Sequence, residues 1–578
     1  LGSIGALRAE AGWALLAIAI VRFLPSIRAW LSDLGSLPRA LAVPRGLSRW
    51  AAAYCIFALS IAFLHALAPA TAWDALVYHL KGPDLYLAAG RIGHPIDLPY
   101  LGFPQFQEML FLLARLIGAP TVALLHWVFA VATVLLIHSM ARRIWGEVAG
   151  WLAMAIFLSA PSIVGLAGSP YVDLTLAFHV TAAFACMRHW RAGEDGGWLR
   201  LAGLFAGFAM ATKYTAAAAV VGLVVLVFFG DWSRLLQYVG IVVLAASPWY
   251  LKNLIVTGNP VYPFFFDAPY WDSLRAAWYS RLGTGLAFTS PLRLLTAPIE
   301  ATLLGVQGRQ PFDATIGPLF LMFVPVAIIG VRRRLPGFEH AFVRDWMRDA
   351  LIVCGVVYLG WLAMIAASAL LAQTRLLFPI FPLLAVMAAG GFYTLRQSET
   401  LSAGARRVVS AVVAAWLALT AFGLAIDFGA SGVASALSGG RSRDDYLVDR
   451  LGWHVLAMQS INRLPAGSRV MFLWEPRSLY CRLECHPDAL LDRWWHARRV
   501  IGSPDAIAEA WRAAGITHVL LFRAGYQFIL DDSFDPITAE DQAALATLID
   551  SHLTLVQNLG DEYEVYAWRS ESAREEPP

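Results

Sequence analysis

The chain has 578 residues, of which 58% are hydrophobic and 15% charged, and its 44 basic and 41 acidic side chains leave a formal net charge of +3. Soluble domains carry about 25% charged residues, so this composition, with a mean hydropathy of +0.59, excludes disorder and a purely soluble fold and points to lipid over much of the surface. The small positive surplus gives no electrostatic footprint for nucleic acid. Five cysteines are too few for a disulfide framework, and Cys55, Cys186 and Cys354 fall inside apolar runs where a small buried hydrophobe is expected. Because the sequence begins at Leu1, an initiator residue or a tag is expected ahead of it.

Crossing about 30 Å of hydrocarbon takes roughly 20 apolar residues. Such runs are expected at about 51–68, 120–140, 148–166, 170–188, 198–213, 215–230, 235–251, 314–331, 350–371, 376–395 and 409–428, which makes eleven spans. The stretch 11–24, interrupted by Arg22, reads as either a twelfth span or an interfacial helix. The stretch 105–117 is short and carries Glu108 and Arg115. Treating it as a membrane-parallel or re-entrant helix makes every second loop basic: Arg45 and Arg49, Arg142 and Arg143, Arg188, Arg191 and Arg200, Arg332–Arg334 with Arg344 and Arg348, then Arg396, Arg406 and Arg407. Basic short loops are cytoplasmic. Outer loops of about 69–119 and 252–313, and everything from about residue 430, then fall on the opposite side, where function is expected.

From about 430 the long apolar runs stop. Residues 469–474, 517–522, 553–557 and 562–568 read as strands, and 504–514 and 538–551 as helices. The expected organisation is a transmembrane module over 1–429 and a non-cytoplasmic α/β domain over 430–578, closed by the polar tail Ser570–Pro578. Cys481 and Cys485 are close enough in sequence for a local disulfide in an oxidising compartment; with His486 they form only a weak metal signal, since a second ligand pair is missing.

The candidate site residues collect at the outer ends of the spans. Asp74 lies just past the first major span; an ionisable group at a bundle rim needs a wet cavity or a partner, although Asp is also a favoured helix N-cap. Asp173, in Tyr171-Val-Asp, starts a span on the same side, where the helix dipole alone would suit it. Glu108 is a third acid, and Tyr78, His79 and Tyr214 flank the same segments. Lys213, Lys252 and Arg375 put cations on the side otherwise poor in them. Such groups suit a phosphate, against the simpler reading of snorkelling to the interface. No Gly-rich phosphate loop, Gly-x-Ser-x-Gly elbow or His-Glu-x-x-His is present, which counts against nucleotide-driven chemistry.

These pieces resemble the multispanning GT-C glycosyltransferases of bacteria and archaea, which include protein O-mannosyltransferases and the aminoarabinose transferases of lipid A. The resemblance rests on Trp73-Asp74 with Tyr78-His79, Phe103-Pro104 to Glu108, Tyr171-Val-Asp173, Lys213-Tyr214, Pro248-Trp-Tyr-Leu-Lys-Asn253, Thr257-Gly-Asn-Pro-Val-Tyr-Pro263, Ile316-Gly-Pro318, and Arg375 with Pro379 and Pro382. It implies an α-helical polytopic membrane protein of about 11–12 spans with an outer α/β domain, in the bacterial inner membrane with its active site periplasmic. It also implies inverting transfer of a single sugar from a polyprenyl-phosphate donor to an acceptor hydroxyl. By the resemblance Asp74 is the catalytic base; Lys213 and Arg375, with Lys252 in reserve, hold the donor phosphate; Asp173 and Glu108 orient hydroxyls. The scheme requires no cofactor and no metal site, while leaving room for the divalent cation some relatives use. Asp74 is followed by Ala75 instead of completing the Asp-Glu pair of the protein mannosyltransferases, which counts against a protein acceptor but leaves lipid, glycan and protein all open. A lipid-linked glycan ligase or polymerase is the nearest alternative. A secondary transporter comes behind it, because the two related halves such a protein needs are missing from the sequence.

Overall fold

The structure, a computed structural model, describes residues 2–40, 46–228, 231–281, 283–305, 312–531 and 537–569. Its first part is a helical bundle: α1 (Ala9–Ala40), α2 (Leu47–Leu67), α3 (Lys81–Ala89), α4 (Phe106–Leu116), α5 (Ala123–Trp145), α6 (Glu147–Leu158), α7 (Pro161–Ala167), α8 (Asp173–Arg191), α9 (Gly197–Thr212) and α10 (Ala216–Phe228). It continues with α11 (Trp232–Thr257), α12 (Ser273–Ser280), α13 (Leu286–Thr289), α14 (Arg293–Leu303), α15 (Leu319–Arg333), α16 (Ala341–Ala367), α17 (Phe381–Gln397) and α18 (Ala403–Ala430).

Among the described residues seven helices are long and apolar enough to cross a membrane, or eight if α6 and α7, bent by 81° where Pro161 begins the second, make one broken span. This is a multi-pass membrane protein. Each of the eleven expected runs contains helix, but 120–122, 170–172 and 314–318 are irregular ahead of α5, α8 and α15, and 159–160 separates α6 from α7; residues 229–230 at the end of one run and the tail 570–578 lie outside the described residues. The difference in count comes from α8, α9, α10 and α15, which are short or carry charge. α8 has Asp173, Arg188 and Arg191 at its ends, and most of its side chains are buried against other helices. A helix walled by protein has no need of 20 continuous apolar residues. The stretch expected as interfacial, 105–117, is the 11-residue α4, about 16 Å long and too short to cross.

The span Thr374–Gln397, which contains α17, is mostly buried inside the bundle, whereas α18, α11 and α1 are mostly exposed. Backbones close on it through small residues: a Cβ at Gly391 would fall 2.0 Å from the Phe323 carbonyl oxygen of α15. Gly207 does the same between α9 and α11, where a Cβ would meet the Val242 carbonyl at 2.7 Å. The exposed sides of α1 and α11 carry Trp13, Val21, Leu244 and Ile255, as lipid-facing surfaces do.

The arginine-rich turns gather at one end. Arg188 and Arg191 of α8 both pair with Asp349 of α16, which is fully buried, and Arg142 pairs with Glu147. α8 runs from there to Asp173 at the other end.

Beyond α18 come α19 (Val433–Leu437), α20 (Arg443–Leu451), α21 (Trp453–Ile461), α22 (Arg493–Val500), α23 (Pro504–Ala513), α24 (Arg523–Asp531) and α25 (Ala539–His552). With them is a five-stranded sheet of β1 (Arg469–Leu473), β2 (Glu484–His486), β3 (His518–Phe522), β4 (Leu553–Leu559) and β5 (Tyr563–Trp568), in the order β2-β1-β3-β5-β4. β1 runs parallel to β2 and β3, and β5 antiparallel to β3 and β4. Alternation divides the two faces. Met471, Leu473, Val519 and Leu521 pack with Trp494, Ile507 and Leu548 on one, and Val470, Phe472, Leu520 and Val565 with Ala457, Met458 and Ile461 on the other. The four strands expected from sequence are present, and β2 is a three-residue addition too short to show a period. Cys481, in the loop between β1 and β2, forms a disulfide with Cys485 in the middle of β2.

Candidate active site

α2 ends at Leu67, and the chain runs extended through Pro69 before Trp73 and Asp74 lead into a single π-helical turn, Ala75–His79, closed by the Leu80 amide donating to the Ala75 carbonyl at 3.2 Å. Such turns recur at functional sites because they turn side chains out of the α-helical register. Asp74 stands at the N-cap of this turn, yet its carboxylate makes no capping hydrogen bond. It accepts instead from Arg375 Nη1, at 2.7 Å.

Arg375 lies in the 3₁₀ stretch Thr374–Ile380 that precedes α17. Its Nε donates to the Gln373 side chain at 3.3 Å and sits 3.7 Å from Asp313, whose other oxygen accepts the Thr374 amide at 2.9 Å. Asp313 therefore fixes both the backbone and the guanidinium. Burial pushes the Asp313 carboxyl up, even with Arg375 opposing it. For Asp74 the balance goes the other way: burial pushes the carboxyl up, but Arg375, His79 and Lys213 together hold it below the usual carboxylate range.

A second pair joins this cluster. Lys213, where α9 ends, donates to Asp173 Oδ1 at 3.0 Å, and Asp173 Oδ2 is buried with no hydrogen-bond partner among the described residues. Arg375 also feels the Asp173 charge. Between the pairs, the Tyr171 hydroxyl accepts the Asp74 amide at 3.2 Å. His79 Nδ1 and Glu108 Oε1 are 2.6 Å apart, both buried, and Glu108 Oε2 is a further buried oxygen without a partner. Tyr78 stacks on Tyr100 with ring centroids 4.4 Å apart. Burial and the nearby Asp74 charge push both phenols up, so they remain hydrogen-bond donors across the working pH range.

Thus Asp74, Asp173, Lys213, Arg375, Tyr78, His79 and Glu108 come together. Lys252 and Tyr214 have other partners. The Lys252 amine donates to the Leu101 carbonyl at 2.7 Å and lies over the Trp249 ring; the Tyr214 hydroxyl donates to the Tyr262 carbonyl at 2.9 Å. Both hold the turn at 101–102, whose Gly102 carbonyl also accepts from Asn253. Asp313 and Tyr171 were not among the residues expected to act. Asp313 could have been found by the rule that picked out Asp74, since it too is an acid at the rim of a span.

A cavity of about 590 Å³ lies alongside, lined by Asp84, Arg115, Arg443 and Tyr480 and by residues 67–71, but by neither Asp74 nor Arg375. Among the described residues no group of three or more His, Cys, Asp or Glu side chains is arranged to hold a metal ion.

Residues 111–278 match a domain family described as a domain of unknown function, DUF8201. No curated protein matches the sequence. Among solved structures, the chain is similar to ArnT from Cupriavidus metallidurans bound to undecaprenyl phosphate, with 15% identity and a TM-score of 0.56 over 90% of this chain and 98% of that one. The apo state of the same protein gives 15% identity and a TM-score of 0.54, over 90% and 97% of the two chains. The Archaeoglobus fulgidus oligosaccharyltransferase tethered with an acceptor peptide gives 12% and 0.51, over 90% and 74%. Likeness over nearly the whole chain, bundle and sheet together, means that this protein has the GT-C glycosyltransferase fold.

Proposed function

We propose that the protein is an inverting glycosyltransferase that moves a sugar from a polyprenyl-phosphate donor to an acceptor hydroxyl at the periplasmic face of a bacterial inner membrane. The observation that carries this reading is the pairing of Asp74 with Arg375, beside Asp173 with Lys213, at the end of the bundle opposite the arginine-rich turns. By the basic-loop rule that end is the outer one. A donor whose lipid tail stays in the bilayer brings its phosphate to this rim. The ArnT structure, bound to undecaprenyl phosphate, lends the donor class its support.

In the reaction the acceptor oxygen attacks the anomeric carbon as the bond from that carbon to the phosphate oxygen breaks. Asp74 takes the acceptor proton, and the lipid phosphate departs with its negative charge against Arg375 and Lys213. An arginine-paired carboxylate is a poor base. When the donor phosphate draws Arg375 away, Asp74 is left buried beside Tyr171 and its affinity for a proton rises, so donor binding itself arms the base. Asp173 and Glu108, each with an unpartnered buried oxygen, would accept from sugar or acceptor hydroxyls. Lys252 stays in reserve behind the 101–102 turn.

The test is release of polyprenyl phosphate by the purified protein across a panel of polyprenyl-phosphate sugars and one lipid-linked oligosaccharide, with and without simple acceptors. Asp74→Asn should lower kcat by about 100-fold or more with donor binding retained. Turnover unchanged in that variant removes Asp74 as base. Turnover with the oligosaccharide alone would favour block transfer over single-sugar transfer.

A further inference from the structure

The sheet domain meets the residues around Asp74 through the short segment 475–480, between β1 and the disulfide. Arg477 lies with its guanidinium 4.7 Å from the ring centroid of Trp73, the residue before Asp74. On its other side are Phe522 at the end of β3 and Tyr563 at the start of β5, two rings stacked 4.6 Å apart. Arg477 is held in that slot from within the domain. Its Nε and Nη2 donate to the two oxygens of Glu475 at 2.9 and 2.7 Å, and Nη2 also reaches the Tyr563 hydroxyl at 2.9 Å. Glu475 is fully buried, hydrogen-bonded by Tyr563 and 3.3 Å from His454. Carboxylate, arginine and ring thus form one hydrogen-bonded unit, which meets the bundle through the arginine face packed on Trp73.

The next residues grip the backbone around Asp74. The amides of Ser478 and Leu479 both donate to the Leu76 carbonyl, inside the π-helical turn, at 3.2 Å each. The Tyr480 hydroxyl donates to the Ala70 carbonyl at 2.7 Å. Contacts therefore fall four residues before Asp74, one residue before it and two after it. Cys481 follows immediately and is joined to Cys485 of β2, which ties the far end of the segment to the sheet.

We infer that Arg477 and Tyr480 are positioning residues for transfer: the segment 475–480 is a clasp by which the sheet domain sets the backbone, and so the carboxylate, of Asp74 against Arg375. The inference rests on the glycosyltransferase reading for its catalytic consequence only; the clasp itself is a statement about order in residues 70–80. A carboxylate that must meet both a guanidinium and an acceptor oxygen tolerates little displacement, and about 1 Å can cost 100-fold in rate. The sheet domain is then part of the catalytic machinery's support, in addition to any contact it makes with an acceptor.

Two measurements on the full-length protein in detergent or nanodiscs test this. Hydrogen exchange in residues 70–80 should speed up about tenfold in Arg477→Ala and in Tyr480→Phe, with Arg477→Lys in between, while exchange in β1, β3 and β5 stays slow. Steady-state transfer should show kcat falling about 100-fold in Arg477→Ala with the donor KM within about threefold of wild type, and partial recovery in Arg477→Lys. Tyr480→Phe leaves the buried Glu475 network intact, so it remains a fair test if Arg477→Ala disturbs the sheet. Unchanged exchange at 70–80 in Tyr480→Phe and Arg477→Lys overturns the clasp, whatever the enzyme's activity. Faster exchange with kcat unaltered overturns its catalytic role, and wild-type protein inactive on every donor defeats the glycosyltransferase reading while leaving the exchange result standing.

Discussion

Asp74 and Arg375 are 301 positions apart in sequence and 2.7 Å apart in space. Their side chains are only 14% and 24% exposed, so water screens the pair weakly. One sits where the loop after α2 begins and the other where the chain enters α17, so the pair ties that loop directly to the bundle.

The first prediction concerns the charge balance at Asp74. Burial pushes its carboxyl up and the cations hold it down, so removing Arg375 should let burial prevail. In Arg375→Gln the acid limb of the kcat/KM profile should move to higher pH, with Arg375→Lys near wild type. A depressed carboxylate stabilises the fold above its unfolded pKa of about 4 and loses that contribution as pH falls through the folded value. Wild type should accordingly lose stability in acid more steeply than Arg375→Gln. An acid limb that stays in place in Arg375→Gln would mean that the limb belongs to another group.

The second concerns the neighbouring pair. Asp173 is 3% exposed and Lys213 gives its only direct ion pair among the described residues. Lys213→Met should destabilise the protein by about 3 kcal/mol or more, because a buried charge is left without its partner. Adding Asp173→Asn should restore much of the loss. Thermal unfolding of the two single variants and the double variant in one detergent gives the coupling directly, and simple additivity would show that the pair contributes nothing as a pair.

The third concerns the sheet domain. Burial pushes the Asp488 carboxyl up to about 7, against the attraction of Arg493. Its oxygens accept the amides of Trp474 at 2.9 Å and Arg493 at 3.1 Å. A raised carboxyl stabilises the fold most below its unfolded pKa, and that contribution drains away as pH rises through about 7. Between pH 5 and 8 the melting temperature of the sheet domain should fall in the wild type and stay level in Asp488→Asn. The variant should start lower at pH 5, since an amide cannot accept both backbone donors. Parallel slopes for the two proteins would acquit Asp488.

Much of the helical layout was legible because a 20-residue apolar run has one physical use. The acids and cations were legible as well, since an ionisable group at a membrane rim needs a reason to be there, and Asp74, Asp173, Lys213 and Arg375 were all found that way. What the sequence withheld was partnership. Lys252 obeys the same rule as Lys213, yet its position on α11 carries it to the Leu101 carbonyl, and no local pattern records which side of a helix meets which loop. The clasp was hidden for a related reason: Glu475, Arg477 and Tyr480 look like ordinary loop residues until the sheet brings Tyr563 and Phe522 beneath them. β2 and the extra helices of the sheet domain are too short for periodicity to register.

Arg275 of α12 donates to Asp97 in the first outer loop at 2.8 Å and to both oxygens of Asp492, ahead of α22, at 2.8 and 2.9 Å. A single guanidinium, 4% exposed, thereby ties both outer loops to the sheet domain. Swinging the sheet domain aside like a hatch would break the Arg275–Asp492 pair, in which both side chains are buried, and leave Arg275 only its contact with Asp97. On the proposed function, a lipid-linked donor that slides in sideways from the bilayer leaves that pair intact. On that reading, this pair favours a doorway in the wall over one in the roof, with a long-tailed donor entering from the bilayer while the sheet domain stays in place.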